Sequence, residues 1–188
     1  MQTFVENYLS KLRETTNIIS QEAVVAILGT IFDAYRNNKR IFIFGNGGSA
    51  ATSSHLMNDL NKLCNIKGKK RIKAIALTDN IPLMTAWGND DSYNSIFVEQ
   101  LKNLFEPGDI CIAISGSGNS ENVVQAVQYA NENKGITIGL LGFDGGKIKD
   151  IVKHKIIINN NHYGIIEDTH HVLCHILSNG LKEMIEKR

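Results

Sequence analysis

From residue 40 to residue 158 the chain alternates short apolar runs with longer stretches in which apolar residues recur every three or four positions. The runs fall at 40–44, 72–77, 110–114, 136–141 and 155–158, and most are apolar throughout. Strands without an exposed polar face, separated by helical periodicity, predict a parallel sheet covered by helices on both sides. Turn signals at Asn46-Gly47-Gly48, Pro107-Gly108 and Asp144-Gly145-Gly146 separate these elements. Ahead of the first strand, Phe4, Tyr8, Leu9 and Leu12 recur at helical spacing, and Ser20 is placed to cap a second helix over 21–37. That second helix is apolar on more than one side, as in helices buried between elements or between subunits. A last helix is predicted over about 165–186, with Ile166, Leu173, Leu177 and Leu181 among its apolar positions.

The chain has 188 residues, 43% of them hydrophobic, which suits one domain with a substantial core. The expected layout is a pair of leading helices, 1–38, used in packing and oligomerisation, and an α/β core, 39–188. With a net charge of +1, scattered along the chain, nothing argues for a nucleic-acid or membrane surface. The one basic cluster, Lys67, Lys69, Lys70, Arg71 and Lys73 around Gly68, reads as a solvated loop. Three cysteines in unrelated contexts, with no CxxC, point to reduced thiols and a cytoplasmic protein. Neither a leader peptide nor an apolar run of membrane-spanning length is evident.

Two strand ends carry the candidate chemistry. Ile114-Ser115-Gly116-Ser117-Gly118-Asn119-Ser120 passes from strand to helix through glycines and hydroxyls, next to the free N–H groups of a helix start. With no Lys or Arg in the loop, the ligand expected is a phosphomonoester held by hydrogen bonds. The first strand ends in a similar turn, Gly45-Asn46-Gly47-Gly48-Ser49, which is neither the dinucleotide GxGxxG nor the P-loop GxxxxGK[ST]. Two such turns at the carboxyl ends of parallel strands imply one crevice, where open α/β sheets bind ligands. His55 and Asp59 lie four apart on the following helix, and Glu167, His171 and His175 follow four-residue steps on the last one. One of His170 and His171 is expected in the core, and His154 and His162 at strand ends. His55 and Asp59 with Glu167 and His175 would supply two imidazoles and two carboxylates, enough for a divalent metal or for acid–base chemistry.

Together, the Gly45–Ser49 and Ser115–Ser120 turns, His55, Gly88-Asn89-Asp90, Asp144-Gly145-Gly146-Lys147 and the histidine-bearing last helix resemble the sugar isomerase (SIS) domain family, and within it the phosphoheptose isomerases. The resemblance covers nearly the whole chain. It implies a five-stranded parallel sheet flanked by helices in a three-layer sandwich, and a homotetramer whose active sites are built partly from a neighbouring subunit. By position, Asn46, Gly47, Gly48, Ser49, Asn89 and Asp90 would contact substrate, and Ser115, Gly116, Ser117 and Ser120 would hold its phosphate. His55, Asp59, Glu167 and His175 fall at the family's metal positions, for zinc or another divalent ion, and Asp59, Glu167 and His175 at its catalytic ones.

The implied reaction is an aldose–ketose isomerisation through an enediolate, from sedoheptulose 7-phosphate to D-glycero-D-manno-heptose 7-phosphate, feeding heptose synthesis for lipopolysaccharide or capsule. Three positions depart from the family pattern: Asp59 where glutamate is usual, Glu167 where glutamine is common, and Gly164 where an aspartate is expected. Asp59 is favoured as the base by position and Glu167 by reach. The alternatives are a non-catalytic SIS protein acting by protein contact, and an isomerase of a different sugar phosphate.

Overall fold

The computed structural model describes residues 1–188. Helices α1 (Gln2–Asn17) and α2 (Gln21–Arg36) lead into the alternating part: β1 (Arg40–Gly45), α3 (Gly48–Lys62), β2 (Lys73–Ala76), α4 (Ile81–Asp90), α5 (Val98–Leu104), β3 (Ile110–Ser115), α6 (Glu121–Glu132), β4 (Ile136–Gly142), β5 (His154–Ile158) and α7 (Tyr163–Glu186). Ser20 caps α2 as its position predicts, its Oγ accepting from the Ala23 N–H at 3.1 Å.

All five strands are parallel, in the order β2-β1-β3-β4-β5. Their side chains divide by the two-residue period of a strand. Ile41 and Ile43 of β1 and Ile110, Ile112 and Ile114 of β3 join α2, α3 and α7 on one face. Phe42, Phe44, Cys111 and Ala113 join α5 and α6 on the other. Helix α1 lies outside the first layer, along α7. The sandwich has three layers, as expected, because a sheet apolar on both faces needs both covered. No single helix is long and apolar enough to cross a membrane.

Several strands run one residue past their apolar runs, to Gly45, Ser115 and Gly142, because ladder pairing continues into the turns. Helix α3 likewise begins at Gly48, inside the glycine turn. The strand order reverses between β1 and β3, so α3 and α6 depart toward opposite faces and open a crevice between the two turns. This is the switch point of a doubly wound sheet.

Candidate active site

The two turns are locked together across the crevice. Asn46 and Asn122 exchange amide hydrogen bonds, each 2.9 Å, and the Tyr93 hydroxyl donates to Asn46 Oδ1 at 3.1 Å. Within the serine loop, Ser115 Oγ accepts from the Gly118 N–H at 3.1 Å and Ser117 Oγ from the Asn119 N–H at 3.2 Å. A hydroxyl that accepts from the backbone still has its own proton to donate. Ser120, at the start of α6, makes no capping bond with its side chain. Ser115, Gly116, Ser117 and Ser120 therefore line a pocket, with Asn46, Ser49, Tyr163 and Glu167, that offers hydroxyl donors and no cationic side chain.

The Asp144-Gly145-Gly146-Lys147 turn shapes this loop from behind. The Ile148 N–H donates to the Gly118 carbonyl and the Lys147 N–H to Asn119 Oδ1, each at 3.0 Å. A Cβ on Gly118 would stand 2.1 Å from the Gly145 carbonyl oxygen, and Gly118 has φ +64°. Only glycine satisfies both demands.

On α7, Glu167 points into the serine pocket and makes no hydrogen bond or ion pair within the chain. Its carboxylate lies over Gly48 at the start of α3, where a Cβ would come within 2.6 Å of Oε1. Asp59 sits elsewhere. Its Oδ2 lies 3.4 Å from His55 Nε2 and 3.9 Å from His175 Nε2, and accepts from Ser178 Oγ at 3.3 Å. His55 and His175 approach Nε2 to Nε2 at 2.9 Å. His171 completes a triangle of rings, with centroids 4.4 Å from His55 and 5.1 Å from His175. Burial, and then the neighbouring His55 and His175 charges, lower the His171 pKa.

Residues 3–142 match the SIS domain family. A phosphoheptose isomerase from Geotalea daltonii is 39% identical over 166 residues, 88% of this chain and 83% of its own length. Another, from Aquifex aeolicus, is 35% identical over 168 residues, 89% and 87% of the two chains. This chain belongs to the SIS domain family, among the phosphoheptose isomerases. The solved structure of phosphoheptose isomerase GmhA from Neisseria gonorrhoeae superposes with a TM-score of 0.90 at 29% identity, covering 97% of this chain and 98% of that one.

Set in this SIS fold, the residues singled out from sequence separate into three places. Asn46, Ser49, Ser115, Gly116, Ser117, Ser120 and Glu167 share the serine pocket, with Gly47 and Gly48 at the adjoining start of α3. His55, Asp59 and His175 form a second group. Asn89 and Asp90 lie apart, exposed at the end of α4 and hydrogen-bonded to each other at 2.7 Å. Glu167 is not among the donor atoms that gather within 4.8 Å, which belong to His55, His171 and His175.

His170 takes the core position. It is 1% exposed, neither ring nitrogen completes a hydrogen bond, and burial pushes its pKa down to about 4, offset slightly by the Leu141 backbone. Tyr163 stands in the pocket wall, and Tyr8 packs on α7 beside Gly164. Tyr8 fills the space beside Gly164, where a Cβ would meet its hydroxyl at 2.8 Å, and donates to Asp168 at 2.6 Å. That hydrogen bond raises the Tyr8 pKa to about 12. No local pattern marks either tyrosine; the packing of α1 on α7 brings Tyr8 to its place.

Proposed function

We propose that this chain interconverts sedoheptulose 7-phosphate and D-glycero-D-manno-heptose 7-phosphate through an enediolate. The observation that carries the reading is the shared use of one helix. α7 places Glu167 in the serine pocket and His171 and His175 at successive four-residue steps, about 6 Å each, beside His55 and Asp59. A phosphate seated in the loop would lie at one end of a site whose other end carries the polar chemistry. Its hydrogen bonds would supply binding energy remote from the reacting carbons and hold them in line.

Proton transfer between the two carbons needs one carboxylate reaching one face of the sugar. Glu167 is the freer of the two candidates, because Asp59 is already engaged by His55, His175 and Ser178. The imidazole group would face the oxygens on which negative charge develops, and Asp59 would orient its rings. The His55 and His175 nitrogens also suit a divalent cation: ligands of a tetrahedral zinc at about 2.0–2.1 Å stand about 3.3 Å apart, these two stand 2.9 Å apart, and Asp59 Oδ2 lies 3.4 and 3.9 Å behind them. Zinc bound there would polarise the substrate carbonyl.

The assembly proposed is a homotetramer in the cytoplasm, with a neighbouring subunit closing each crevice. Phe4, Val5 and Leu9 stand exposed on α1, with Val25 on α2 and Ile176 on α7, and such apolar side chains favour coverage by another chain. The three cysteines are buried and unpaired, in keeping with a reducing compartment. Incubation with sedoheptulose 7-phosphate, beside hexulose and pentulose phosphates, tests the activity. Aldose formed fastest from the heptulose supports it; turnover of a shorter sugar alone would transfer the assignment to that sugar, and no turnover of any would favour a non-catalytic role.

A further inference from the structure

The structure brings three imidazoles together where the sequence pattern suggested two. His55 from α3 and His171 and His175 from α7 offer ligand nitrogens that all lie within 4.8 Å of one another. His171 is half-buried, and its ring centroid stands closer to His55, at 4.4 Å, than the His175 centroid does, at 4.9 Å. No hydrogen bond explains its position: among these rings only the His55 and His175 nitrogens are paired. Glu167, one turn before it, is turned toward Gly48 and the serine pocket and is absent from this group.

We infer that His171 is a metal ligand, so that His55, His171 and His175 form a three-imidazole face for a divalent transition metal, with Asp59 beside it and Glu167 outside the coordination set. The inference deepens the isomerase reading, on which it rests for the use of the metal. Three neutral imidazoles suit zinc, cobalt or nickel far better than magnesium or calcium, which take oxygen donors. Three protein ligands are also the number found where a metal keeps a position open, whereas closed structural sites use four. Keeping Glu167 out of the set leaves its carboxylate available to carry a proton.

Cobalt(II) titration of the metal-stripped full-length protein, without substrate, tests this directly. Wild type and Glu167→Gln are expected to bind one cobalt per chain with equal affinity and the same visible absorption. His171→Leu is expected to weaken binding by more than about 100-fold, beyond what loss of an outer-shell partner costs, and to change the spectrum. His171→Gln, which keeps a polar side chain of similar length, is read alongside; if the leucine variant does not fold, the glutamine variant decides, with weakened binding and an altered spectrum again expected. Wild-type affinity and spectrum in a folded His171 variant would overturn the inference, as would a wild type that takes up no cobalt or a loss in Glu167→Gln equal to that in His171→Leu. Isomerase assays separate the two claims. An inactive wild type that binds cobalt through His171 sinks the isomerase reading alone, and an active one whose cobalt ignores His171 sinks this inference alone.

Discussion

Glu167 and Asp59 are both carboxylates packed near α7, yet their surroundings give them different work. Glu167 is unpaired and faces the serine pocket, so Glu167→Gln is expected to lower kcat by at least about 100-fold with little change in KM. Such a split marks loss of a transition-state interaction, and an unchanged kcat would return the base to Asp59. In the serine loop, Ser117→Ala removes one hydroxyl donor to a charged group, about 1.5–3 kcal/mol, and should raise KM for the sugar phosphate by about tenfold or more. His170 makes a different prediction. Its folded pKa, about 4, lies below the ordinary 6.5, so the unfolded chain binds the extra proton first as pH falls. The stability it contributes is complete above pH 6.5 and is lost as pH falls to 4, a change of about 3 kcal/mol. Urea midpoints of metal-free protein across that range should show the fall, and His170→Leu should flatten it. The division between His170 and His171 was legible in principle. His170 continues the buried row of Ile166, Leu173 and Leu177, while His171 continues the polar row of Glu167 and His175.

At the level of elements, the strands were legible because the sheet is buried on both faces, and two-sided burial demands continuous apolar runs. β1 and β3 show this directly, with Phe42, Phe44, Ile112 and Ile114 all fully buried. The turns were legible as glycine–serine segments, but their mutual support was not. Asn46 with Asn122, and Gly118 with Gly145, meet across 76 and 27 residues of chain, and no local period encodes such a meeting. Gly118→Ala is therefore expected to destabilise the fold by at least about 1–3 kcal/mol from backbone conformation alone, with the clash on Gly145 adding to it. Thermal unfolding should show the loss, and phosphate protection of the variant should vanish. α4 is the opposite case. None of its residues is buried, so Asn89 and Asp90 could be recognised by resemblance but not brought to the pocket by packing within one chain.

At the scale of the whole molecule, the sheet's switch point, the serine loop and α7 converge to form a site that is open on one side. The exposed apolar residues of α1 give this openness a testable consequence. Phe4 and Leu9 are 64% and 50% exposed, and Phe4→Glu with Leu9→Glu is expected to shift sedimentation from the proposed tetramer to smaller species and to reduce turnover together with it. An unaltered tetramer would place the contact elsewhere. Assembly was beyond reach of residue pattern alone, because an apolar position on a leading helix reads alike whether its cover is the core or another subunit. The measurement that bears most directly on the central claim is proton NMR of sedoheptulose 7-phosphate incubated with the wild-type protein in deuterium oxide. The account predicts growth of the aldose anomeric signal, with deuterium entering at the carbons that exchange a proton through the enediolate. A substrate that neither isomerises nor takes up deuterium, in the presence of zinc and folded protein, would contradict it.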